Sequence, residues 1–134
     1  MIDQIMLPKM LEEHIQEWSN RDFIWGKWDC ANFCNSWFLK LTGYDYKLPS
    51  YENSKEALEV LTQKGGYVVS LKTRGLKEIE RTRCEAGDLA YMVRKNFSSI
   101  GIVCGSKCAF IGEKNVHFIS TDRMFSFWSI RNNA

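Results

Sequence analysis

Five cysteines and two histidines set the side-chain chemistry open to this 134-residue chain. Chemistry that needs several imidazoles is excluded, and a thiol-based site must take its base from His14 or His117. Cys30 stands out by position. It follows Asp29, and Phe33, Cys34, Trp37, Phe38 and Leu41 recur behind it at helical spacing. The thiol therefore falls in the first turn of a helix from Cys30 to about Leu41, which Asp29 can cap and Gly43 can end. Unpaired N–H groups and the positive end of the helix dipole favour a thiolate there. A small buried residue that follows a cap is the plainer account of the same position. His117 lies in Val116-His117-Phe118-Ile119, where alternation sets it on the face opposite Val116 and Phe118. His14 shares a helix face with Met10 and Leu11 and reads as a boundary side chain.

Other constellations carry less. Cys30-x-x-x-Cys34 and Cys104-x-x-x-Cys108 could supply four thiolates to zinc, but the second pair spans a strand end and a strand start, without the tight knuckle of structural zinc sites. No metal or other cofactor is expected. Tyr44-Asp45-Tyr46-Lys47-Leu48-Pro49-Ser50-Tyr51 is an aromatic loop, either a packed surface segment or a binding lip to which Tyr44 and Tyr46 would contribute. Gly65-Gly66 ends a helix, so it forms no phosphate cradle.

The elements that must hold Cys30 are legible in the patterning. Leu7, Met10, Leu11, Ile15 and Trp18 mark one helix, and Asn53-Ser54-Lys55-Glu56 opens another as a capping box. Between the first helix and Cys30, the aromatic run Phe23–Trp28 forms a packed approach. From Tyr67 onward the texture changes: Tyr67–Leu71, Asp88–Val93, Ile100–Cys104, Cys108–Ile111, Val116–Ser120 and Phe125–Arg131 read as strands, and Thr73–Ile79 as a segment holding a helical turn. Helices first and a meander of strands afterwards is the α+β pattern, an antiparallel sheet with helices packed on one side. One domain over residues 1–134 suits this length, and 45% apolar with 13% aromatic residues suffices for a core.

Net charge is +2, with 7 basic and 10 acidic side chains in residues 1–66 against 11 and 6 in residues 67–134. That polarity lacks the density of a nucleic-acid stripe, so no nucleic-acid partner is expected. No stretch reaches the roughly 18 apolar residues of a membrane span. The start lacks the basic and apolar regions of a signal peptide, which leads to an expectation of synthesis in a reducing host cytoplasm.

Trp25-Gly-Lys-Trp-Asp29-Cys30-Ala-Asn-Phe resembles the nucleophile motif of the NlpC-like cell-wall peptidases, in which Asp-Cys opens a central helix. Glu85-Ala-Gly87-Asp88-Leu89-Ala-Tyr91 is similar to that family's Pro-Gly-Asp-Leu strand opener, and Ser99-Ile-Gly101-Ile-Val-Cys-Gly105 to its His-Val-Gly-Ile-Tyr-x-Gly strand. A compact branch among phage and prophage tail genes is closer still. It shares Phe-x-Trp-Gly-x-x-Asp-Cys, the Thr42-Gly43 helix end, a Tyr before a Glu-Ala-Leu helix as at Tyr51 and Glu56, and a late Trp like Trp128. The ordered pieces run from about residue 5 to residue 131. The resemblance implies a papain-like fold with Cys30 at the nucleophile position and a groove that Asp29 and Trp25 border. It also implies a virion tail location, tail-tip proteins as partners and peptidoglycan as a further partner.

The family's general base is the His that opens the Gly-Ile strand, and Ser98-Ser99 stand in its place, with Ser99 at the matching position. Serine can neither take the thiol proton nor protonate a leaving amine at neutral pH. Two expectations follow. One is a tail-tip structural or docking protein that keeps the fold without the reaction. The other is an active peptidase or amidase on peptidoglycan stem peptides, with His117 as a relocated base in a strand neighbouring the one that lost its His.

Overall fold

The computed structural model describes residues 5–45, 50–63, 71–73, 75–94 and 97–130. It is an α+β architecture. Helices α1 (Leu7–Trp18), α2 (Cys30–Thr42) and α3 (Ser54–Gln63) precede strands β1 (Lys77–Ile79), β2 (Leu89–Arg94), β3 (Phe97–Val103), β4 (Lys107–Ile111), β5 (Val116–Ser120) and β6 (Ser126–Ser129). The strands form one sheet in the order β1-β6-β2-β3-β4-β5. Every pairing is antiparallel. β2 to β5 make the expected meander, and β6 crosses back to lie between β2 and β1.

The helix boundaries follow from local chemistry. Asp29 is the N-cap of α2, and its side chain accepts from the Asn32 N–H. Gly43, left-handed at φ 76, closes the helix with its N–H on the Leu39 carbonyl. At α3 the Asn53 side chain accepts from the Glu56 N–H, while Glu56 reaches back to the Glu52 N–H instead of that of Asn53. The segment expected to hold a helical turn before Ile79 divides: residues 71–73 are helical, and Lys77–Ile79 pairs with β6 as an edge strand. Of the strand expected over Tyr67–Leu71, only Leu71 is described, and it is helical. Gly65-Gly66 lies outside the described residues.

The sheet has two unlike faces. Leu89, Ile100, Ile102, Ala109, Val116 and Trp128 meet the helices, where Leu11 and Trp18 of α1 and Phe33, Cys34, Trp37 and Phe38 of α2 complete the main core. Ala90, Met92, Val103, Cys108, Phe110 and Phe127 line the other face, packed against Ile79, Ile119, Cys84 and Met124. The last two end the short 3-10 turns Arg81–Arg83 and Thr121–Arg123. α2 is locked over the sheet by its Trp37 indole, which donates to the Gly87 carbonyl at 2.8 Å. The Gly87-Asp88 motif thus works as a turn: Asp88 is buried and accepts from the Glu85 N–H at 2.8 Å.

Candidate functional site

The N-terminus of α2 is held by one carboxylate. Asp29 is 1% exposed. Its Oδ1 accepts from the Asn32 N–H and from Asn32 Nδ2, both at 2.9 Å. Its Oδ2 accepts from the Gly26 N–H at 2.8 Å and from the Tyr51 hydroxyl at 2.6 Å. Four donors on one buried carboxylate fix both the turn before the helix and the first helical turn. Asp29, expected to border a groove, is therefore a buried cap. The same web explains two residue choices. Gly26 sits at φ 79, and a Cβ there would collide with the Tyr51 carbonyl, so only glycine lets the two segments meet. Burial, and next the hydrogen bond to Asp29, push the Tyr51 phenol well above its ordinary range, so it stays a donor.

Cys30 follows this cap, half-buried against the helix-side core. Its approach is a tight turn closed by pairing of Ile24 with Trp28. Trp28 meets Trp18 of α1 edge to face at 4.6 Å, and Arg21 lies over its ring at 4.1 Å. The turn is tied to the β4–β5 connection by the Phe23 N–H on the Glu113 carbonyl at 2.8 Å and by the Asn20–Asn115 side-chain bonds. Trp25 is 39% exposed, with its ring edge to face against Phe23 at 4.7 Å.

Neither histidine serves the thiol. β5 neighbours β4, so a full strand separates His117 from β3, and the expected adjacency to the Ser98-Ser99 strand is corrected. His117 pairs with Phe110, which faces the sheet side away from the helices, and its exposed ring lies against Gly112. Strand alternation thus sets His117 and Cys30 on opposite faces. Ser99 shares that far side, since it pairs with Met92; Ser98, opposite Val93, falls on the helix side. Ser99, the position expected to match the resembled family's base, is therefore on the face away from Cys30.

His14 is not a boundary side chain but fully buried, stacked on Phe33 at 5.0 Å with Trp18 and Trp37 alongside. Its Nε2 lies 3.0 Å from the Phe33 carbonyl and its Nδ1 2.8 Å from Lys40 Nζ. A carbonyl accepts and an ammonium donates, so the ring is neutral with its proton on Nε2. Burial lowers its pKa to about 4, with the Lys40 charge adding to that and the Phe33 bond opposing it. Both nitrogens are committed.

The remaining expected residues separate. Tyr44 is 57% exposed beyond the C-terminal end of α2, its ring edge-on to Phe38. A helix of this length spans about 20 Å, so Tyr44 lies far from Cys30. Tyr46 falls outside the described residues. The residue that sequence reasoning left out of the site is Tyr51, whose place before a helix was visible but whose bond to Asp29 spans 22 positions.

The four-thiolate zinc arrangement does not assemble. Cys108 is on the far face of the sheet, while Cys30 and Cys34 are on the helix side. Among the described residues no group of three or more His, Cys, Asp or Glu is placed to hold a metal ion. Burial pushes the Cys108 thiol up to about 12 and Cys104 up to about 11, so both are poor nucleophiles. No disulfide joins the five cysteines. No described helix is long and apolar enough to cross a membrane.

Residues 6–130 match a domain family of unknown function, DUF6950. The chain belongs to this family. The match takes in the Asp29 web, all three helices and the whole sheet, so the DUF6950 domain contains every element that positions Cys30. Among curated proteins, none matches the chain.

Proposed function

We propose that this DUF6950 chain is a phage or prophage tail-associated protein of NlpC-like papain fold, which serves near the tail tip as a structural or docking piece and not as a peptidase. The tail location and the papain likeness rest on the ordered motifs around Asp29-Cys30, Gly87-Asp88 and Gly101. A Cys-bearing helix packed on an antiparallel sheet is compatible with that likeness.

One observation carries the loss of activity: His117 is across the sheet from Cys30, and His14 has both ring nitrogens bonded. Thiol-dependent amide cleavage needs a group that takes the sulfur proton and returns it to the leaving amine. With the two imidazoles so placed, attack by Cys30 on a peptide carbonyl would leave the amine without that proton. The surface beside Cys30, with Trp25 39% exposed on it, is then free to serve as a contact surface.

Purified protein incubated with peptidoglycan sacculi tests this directly. The expected result is no release of stem peptides above background, with wild type and Cys30→Ala alike. Cleavage that disappears in Cys30→Ala overturns the reading in favour of an active enzyme. In virions, the chain is expected in isolated tails, and a deletion is expected to block tail completion.

A further inference from the structure

His14, Lys40 and Glu17 form a chain of contacts between α1 and α2 that the Cys30 site does not use. Lys40 Nζ donates to His14 Nδ1 at 2.8 Å and to Glu17 Oε2 at 2.7 Å. Glu17 Oε2 is 4.0 Å from His14 Nδ1. The only charged groups among the described residues that face the imidazole are therefore Glu17 from its own helix and Lys40 from α2. Three aromatic rings also lie against it: Trp18 from α1, Phe33 and Trp37 from α2.

We propose that this trio is an acid-operated latch, which clamps α1 onto α2 while His14 is neutral and releases α1 from the sheet-bound α2 when His14 takes a proton. A second proton on the ring turns Nδ1 from acceptor into donor. The Lys40 bond is then lost, and two cations face each other at under 3 Å, the imidazolium buried among aromatic rings and the ammonium part-exposed. The ring has no route to water without α1 moving, because it is 0% exposed. Glu17 offsets this only in part, being half-exposed and already engaged by Lys40. The bond from Lys40 holds the Glu17 carboxyl below its ordinary range, so Glu17 keeps its charge while His14 is the group that takes the proton.

The sign is fixed by burial. An unfolded or opened His14 takes up its proton near pH 6.5, whereas the closed form resists to about 4. Proton uptake therefore favours the open form increasingly as pH falls from about 6.5 to about 4. Release has a consequence at the other end of α1. Trp18 braces Trp28, which leads directly into Asp29 and Cys30, so an open latch uncovers the approach to the thiol.

Hydrogen exchange of the intact chain, corrected for intrinsic rates, tests the latch at pH 7.5 and pH 4.5. The expected result is a loss of protection of at least about tenfold over Leu7–Trp18 at the lower pH, while Leu89–Val103 keeps its protection. Loss of protection in both segments together means simple acid unfolding and overturns the proposal. His14→Phe should abolish the pH dependence of α1 opening; an unchanged dependence also overturns it. Should His14→Phe fail to fold, Lys40→Met decides. Lys40→Met removes both bonds that join α2 to His14 and Glu17, so α1 should lose protection already at pH 7.5, and unchanged α1 protection at that pH rejects the latch.

Discussion

The two faces of the sheet bury different polar groups: Asp29 and His14 on the helix side, the small hydroxyl of Ser129 on the far side with Phe127. On the helix side, buried Asp29 takes donors from its neighbours Gly26 and Asn32 and from distant Tyr51, and buried His14 is held by Phe33 and Lys40 of α2. On the far side, the core is built from Ala90, Met92, Val103, Phe110 and Phe127, and the buried thiol of Cys108 is simply one more small apolar group. His117 and Ser99 fall to that far side through strand parity alone. The difference teaches that a thiol's chemistry here is set by which face its partners occupy. A shift of one residue along β3 or β5 would exchange the faces.

The largest expected contrast is in thiol reactivity. At pH 7.5 an alkylating reagent should modify Cys108 at least about a thousandfold more slowly than Cys30, because burial keeps Cys108 protonated and out of reach. Comparable rates, read by peptide mass spectrometry, would erase the distinction between the faces.

Next is the Asp29 web. Asp29→Ala strands four donors and should cost about 4 kcal/mol, measured by denaturant unfolding. A loss under about 1 kcal/mol would show that the helix side does not depend on its buried polar groups.

Acid should weaken the helix side through His14. Its folded pKa of about 4 lies below the unfolded value near 6.5. The stability it allows is full above pH 6.5 and declines as pH falls toward 4, by up to about 3 kcal/mol. Denaturant midpoints between pH 7 and pH 4 measure this, and a flat profile contradicts the buried neutral ring.

A smaller effect is expected for Tyr51→Phe, which removes one bond to the Asp29 carboxylate and should cost about 2 kcal/mol. The smallest belongs to the far face. His117→Ala should change stability by less than about 0.5 kcal/mol and leave the Cys30 alkylation rate unaltered. A changed Cys30 rate would mean that the imidazole reaches across the sheet after all.

Much of the scaffold is legible in local residue choice. Leu7–Trp18 emerges from apolar spacing, α2 from the Asp29 cap and Gly43, and Val116–Ser120 from a short apolar run between turn-forming residues. These features act within one or two turns of chain, so composition and spacing are enough to specify them. The crossing of β6 back beside β2 and the conversion of Lys77–Ile79 into an edge strand were not legible. Both depend on pairings separated by tens of residues, to which no local preference points.

The candidate site divides along the same line. The sequence by itself determined that Cys30 opens a helix behind an Asp cap and that a thiol here could draw only on His14 and His117 for imidazole. Only the tertiary structure decided what those histidines do. It buried His14 between α1 and α2 with Lys40 on one nitrogen and the Phe33 carbonyl on the other, and turned His117 to the face away from the thiol. The physical reason is that residue type sets what a side chain can exchange, whereas strand parity and helix packing set which groups come within about 3 Å of it.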